Sequence, residues 1–71
     1  MSKDYRKTKG MFFVYDPAAG DFYKGKYQGA AQYTKFQWEA HEYKTLQGAV
    51  MMCEALGSGF IVVDKDGKQY A

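Results

Sequence analysis

Residues 11–27 read Met-Phe-Phe-Val-Tyr-Asp-Pro-Ala-Ala-Gly-Asp-Phe-Tyr-Lys-Gly-Lys-Tyr. The first five are aromatic, branched or long apolar side chains, which suit a pleated, half-buried strand. Asp16, Pro17 and Gly20 then stop it. Proline presets φ for a turn, and glycine accepts the positive φ at the turn's end. A second strand follows over 21–27, so the stretch predicts a hairpin with a loop of about four to six residues. Gly25 interrupts that second strand, where glycine marks a bulge or a close backbone approach.

Downstream, Gln28-Gly29-Ala30-Ala31 punctuates the chain. Thr34, Phe36 and Trp38 alternate with Lys35, Gln37 and Glu39, which predicts a third strand at about 33–39. A short helical turn beginning in 38–43 is the alternative. A helix is clearer at 46–56. Thr45 is its N-cap, with a hydroxyl placed to satisfy a free N–H of the first turn. Leu46, Ala49, Val50, Cys53 and Leu56 recur at helical spacing as one apolar stripe, and Gly57 ends the helix. Met51 and Met52 flank the stripe, one as core filler and the other as a soft contact surface. Phe60-Ile61-Val62-Val63 reads as a buried strand, 64–67 as a turn, and Gln69-Tyr70 as the close of a small terminal hairpin.

The expected fold class is α+β: a small antiparallel sheet of three to five strands with one helix, about 46–56, packed on one face. Residues 1–9 are expected to be a flexible basic tail, and 10–71 a single domain. Side chains alternate along a strand. If Phe12 and Val14 face the helix, then Met11, Phe13 and Tyr15 face away. On the second strand, Tyr23 and Tyr27 share a face opposite Phe22, Lys24 and Lys26. One arrangement leaves an open face of Met11, Phe13, Tyr15, Phe22, Lys24 and Lys26. In the other, loops, the tail or Trp38 cover it.

The 71 residues include seven tyrosines, five phenylalanines and one tryptophan, but one histidine and one cysteine. Rings bury much surface at low entropic cost, which a short chain needs. His and Cys supply most metal ligands and many nucleophiles and bases. Cys53 has no second cysteine to bond and, with His41 alone, makes no zinc site. Neither a metal nor a cofactor is expected, and no enzymatic activity. The net charge is +2. Lys3, Arg6, Lys7 and Lys9 against Asp4 place +3 in the first nine residues, so the body is nearly neutral and lacks the field of a nucleic-acid binder. No apolar run of about 20 residues is present to span a bilayer, and the start lacks a secretory signal. The expected location is the cytoplasm.

Residues 9–16, Lys-Gly-Met-Phe-Phe-Val-Tyr-Asp, share a Lys-Gly start and a Phe-Val pair with the RNP1 segment of RNA-recognition motifs. They depart from it at Met11, Phe12 and Asp16, and they open the fold instead of following a first helix. Asp64-Lys65-Asp66-Gly67 has the start of a calcium loop but no bidentate glutamate at its twelfth position, so a tight turn accounts for it. Gly25-Lys26-Tyr27-Gln28-Gly29 lacks the spacing of a phosphate cradle. His41 sits between Glu39 and Glu42 as a surface residue, and Cys53 lies on the apolar stripe as a small core residue.

Tyr15-Asp16-Pro17, Gly20, Phe22-Tyr23, then Ala40, Tyr43-Lys44-Thr45, the 46–56 helix and a Val-rich strand form a combination that resembles small bacterial and bacteriophage accessory proteins. The likeness spans about residues 11–63. It implies a hairpin, helix and strand domain that binds and blocks a larger protein, and it implies no catalytic residues.

The leading functional expectation is therefore a non-enzymatic protein-interaction module, an inhibitor or modulator of a larger host or defence protein. Interface cores favour aromatic residues and methionine. The anchors expected are Phe13, Tyr15, Tyr23, Tyr27, Tyr33, Phe36 and Trp38, with Phe22, Lys24 and Lys26 beside them. A sheet edge could recruit a partner strand as well. Two alternatives stand: single-stranded nucleic-acid binding through Lys24, Lys26 and nearby rings, and a structural homodimer that shares its aromatic surface.

Overall fold

In the computed structural model, which describes residues 12–71, β1 (Phe12–Asp16) and β2 (Asp21–Tyr27) form the expected hairpin. The basic leader and Met11 lie outside the described residues. Asp16 builds the turn: its Oδ1 accepts from the Ala18 N–H at 3.1 Å, and its carbonyl accepts from the Gly20 N–H at 2.7 Å. Gly20 sits at φ +73°, the left-handed conformation that glycine adopts without penalty.

β3 spans Ala30–Thr34, and Gln37–Glu39 form a 3-10 turn. This corrects the single strand expected at 33–39. Gln28 and Gly29, at φ +54° and +84°, make a two-residue hairpin loop of the primed type, so β2 folds straight back into β3. The alternation of Thr34, Phe36 and Trp38 ran on past the point where the ladder ends.

α1 (Leu46–Leu56) has the bounds expected of it. Thr45 caps it by accepting from the Gly48 N–H at 3.1 Å. β4 is Ile61–Asp64. The strand order is β3-β2-β1-β4, antiparallel throughout. Beyond the 64–67 turn, Gln69 bridges Val63 and the Tyr70 N–H bonds Val62, which closes the terminal hairpin.

Two cores lie on opposite faces of the sheet. On the helix face, Val14, Tyr23, Ala49 and Val62 are buried, with Phe12, Tyr43, Val50, Met52, Cys53 and Leu56 packed around them. Met52 is the core filler and Met51 the exposed neighbour. Leu46 departs from the expected stripe: it is 38% exposed, in the helix's first turn. On the other face, Phe13 and Val63 are buried beneath Ala40, with Tyr15, Phe22 and Ile61 around them.

The first hairpin is split. Tyr15 pairs with Phe22, but Phe12 pairs with Tyr43. The His41 N–H donates to the Tyr23 carbonyl at 3.0 Å. Residues 41–43 therefore lie between β1 and β2 where the two strands diverge. β2 bends there through a bulge, with Tyr23 opposite Tyr33 and Gly25 opposite Gln32. The extra residue is Lys24, and Gly25 takes φ +127°, so the glycine signal for a bulge holds.

Candidate functional site

Thr34 is the buried polar pivot from which the candidate surface is built. Its hydroxyl donates to Glu39 Oε1 at 2.6 Å and accepts from the Phe36 N–H at 3.1 Å. The 3-10 turn adds bonds from Glu39 N–H to the Phe36 carbonyl and from Ala40 N–H to that of Gln37. Lys35 ties the same loop to the first turn, through Asp21 Oδ1 at 2.7 Å and the Ala19 carbonyl at 3.0 Å. The loop is thus pinned at both ends, by Thr34 and by Ala40. Its larger side chains project outward: Phe36 is 56% exposed and Trp38 78%. Their ring centroids lie 5.9 Å apart with planes tilted by 31°. A small residue, Ala40, covers Phe13, and the largest ring in the chain is left in water.

The bulge redistributes the other predicted contact residues. Residues directly opposite across a ladder share a face. Lys26 pairs with Ala31, which packs on the helix-face core, and Tyr27 pairs with Ala30 one position on. Lys26 therefore shares Tyr23's face, and Tyr27 lies on the Phe22 face. The expected grouping of Phe22, Lys24 and Lys26 against Tyr23 and Tyr27 is corrected, because the extra residue reverses the alternation. Lys24 and Lys26 are exposed.

Phe13 and Tyr23 are not surface anchors. Each is 3% exposed and sits in a core. The 40–43 segment reaches both: Ala40 covers Phe13, and His41 packs edge-on to Tyr23 at 6.2 Å. Tyr15 and Phe22 are half-buried against each other, with centroids at 4.7 Å. Tyr33 is partly exposed and stacks on Phe60 at 5.9 Å, while Tyr27 stands exposed at the hairpin end. Of the open face expected from alternation, the described part is therefore covered at its centre by Ala40 and not by Trp38. Tyr70, absent from the expected anchors, is also exposed. It meets Phe12 edge-on at 5.2 Å and donates to Asp64 Oδ2 at 3.0 Å. Its position near the end of a short terminal hairpin was the available signal.

Burial, then Tyr23 and Cys53, push the Tyr43 phenol up to about 12. Burial, then Glu54, raises the Cys53 thiol, which keeps it protonated at neutral pH. Asp64 is held below the usual carboxylate range, first by the Lys68 N–H and further by the Asp66 N–H and the Tyr70 hydroxyl. Among the described residues no three His, Cys, Asp or Glu side chains converge as a metal site. No described helix is long and apolar enough to cross a membrane.

The chain matches no protein-family model, no curated protein and no solved structure.

Proposed function

We propose that this chain is a non-enzymatic protein-interaction module, an inhibitor or modulator of the bacteriophage type, that docks on a larger cytoplasmic protein through Phe36 and Trp38. The observation that carries this reading is the exposure of Trp38 on a loop that is itself fixed. Tryptophan in water forfeits its large apolar area, yet here hydrogen bonds at Thr34 and Lys35 hold the loop in that arrangement. A ring presented on a fixed loop loses little further entropy on binding, which favours affinity. Tryptophan is also among the residues enriched at interface hot spots.

Tagged wild-type protein, Trp38→Ala and a Phe36→Ala/Trp38→Ala double variant should be compared by quantitative pull-down from host-cell lysate. The specific partner should bind Trp38→Ala about 30-fold more weakly, which corresponds to about 2 kcal/mol for a hot spot. Equal recovery of every captured protein by wild type and double variant would remove the proposal.

A further inference from the structure

β3 is an outer strand of the sheet, with β2 as its neighbour among the described residues. Sheet edges are usually guarded by charge, proline or a bulge. Residues 30–34 read Ala-Ala-Gln-Tyr-Thr and carry no charge and no proline. The bulge lies across the ladder, at Lys24 of β2. The next charge along the edge, Lys35, is turned back onto Asp21 and the Ala19 carbonyl. The backbone pattern is equally defined. A two-residue loop makes Tyr27 and Ala30 a hydrogen-bonded pair, so the N–H and C=O of Ala31 point away from β2. β3 itself is regular, so those of Tyr33 point the same way.

We infer that two copies of this chain pair through β3, antiparallel about a two-fold axis at Gln32, and join their sheets into one. In this register the outward groups of Ala31 bond those of the second copy's Tyr33, and the reverse. Gln32 faces its own counterpart, and Ala30 faces Thr34. An antiparallel edge is self-complementary, as a two-fold interface requires. Charge favours a second copy as well. No like charges meet in the pairing, because Lys35 falls opposite Gly29, and the nearly neutral body sets up little field to attract a strongly charged foreign strand. Side-chain size agrees. On the helix face, the small Ala31 lies beside the incoming Tyr33, whose ring is already set by its stack on Phe60 and is still 43% exposed. The inference uses a different surface from Phe36 and Trp38, so the two stand or fall separately.

Sedimentation equilibrium of the full chain, from about 10 µM to about 1 mM, is the test. A short edge-to-edge contact is small, so a dissociation constant on the order of 100 µM is expected. Gln32→Lys and Gln32→Glu should each weaken association tenfold or more, and an equimolar mixture of the two should restore it. Circular dichroism of each variant should match wild type. Trp38→Ala should leave association unchanged. A monomer at every concentration would overturn the inference. So would a dimer that survives Gln32→Lys, a mixture that does not reassociate, or a dimer abolished by Trp38→Ala.

Discussion

Phe12 and Tyr43 exchange both backbone hydrogen bonds, at 2.8 and 2.9 Å, although the chain leaves the ladder directly after Tyr43 to enter α1 through its Thr45 cap. Together with the His41 bond to Tyr23, this pairing places residues 41–43 inside the sheet. The Tyr43 and His41 amides should therefore exchange with solvent as slowly as those of a strand, and the Glu42 amide between them about tenfold faster or more. Amide exchange followed by NMR tests this. A Glu42 amide as protected as that of Tyr43 would contradict the pairing.

The β2–β3 loop holds Gln28 at φ +54°, a conformation that costs Gln more than it costs Asn or Gly. Gln28→Asn should stabilise the fold by about 0.5 kcal/mol. Gly29→Ala should destabilise it by about 1 kcal/mol through backbone strain alone, since no atom lies within 4 Å of a Cβ placed there. Urea midpoints report both. A destabilised Gln28→Asn would refute the turn assignment.

Val14 has no exposed surface, whereas Trp38 is 78% exposed. Val14→Ala should cost about 2 kcal/mol, from lost burial plus the cavity left behind. Trp38→Ala should change stability by no more than about 0.5 kcal/mol. Trp38 is also the only tryptophan, so its fluorescence should be that of a hydrated indole and readily quenched by iodide. A blue-shifted, protected emission from the free monomer would place the ring elsewhere.

Tyr43 carries a phenol pushed up to about 12, first by burial and then by Tyr23 and Cys53. In the unfolded chain a tyrosine titrates near about 10. Above that pH the unfolded state has given up a proton that the folded state still holds. The contribution is thus fully present below about pH 10 and is lost as the pH climbs towards 12. Chemical denaturation across that window should show a steeper alkaline decline for wild type than for Tyr43→Phe. Parallel profiles would exclude the burial of this phenol as the cause.

Much of the local structure was legible in the residues. Asp16, Pro17 and Gly20 announced the first turn, Thr45 and Gly57 bounded the helix, and Gly25 marked the bulge. Each signal acts within a few residues of itself, through φ preference or a side-chain cap. The candidate surface was legible only in part. Phe36 and Trp38 were named, but so were Phe13 and Tyr23, which are buried. Period-two alternation fails across Lys24, where β2 bulges, and nothing local to residues 40–43 says that they enter the sheet.

The sequence by itself determined the hairpin, the helix and its caps, the Val-rich strand and the terminal turn. It also determined that the chain is rich in rings, thirteen in 71 residues. Only the tertiary structure decided which rings stay outside. The diverging ends of β1 and β2 hold backbone groups that must be bonded, and residues 41–43 supply the partners. Seating that segment brings Ala40 over Phe13, His41 against Tyr23, and leaves Trp38 in solvent. That outcome rests on bonds between residues far apart in the chain, which no local preference encodes.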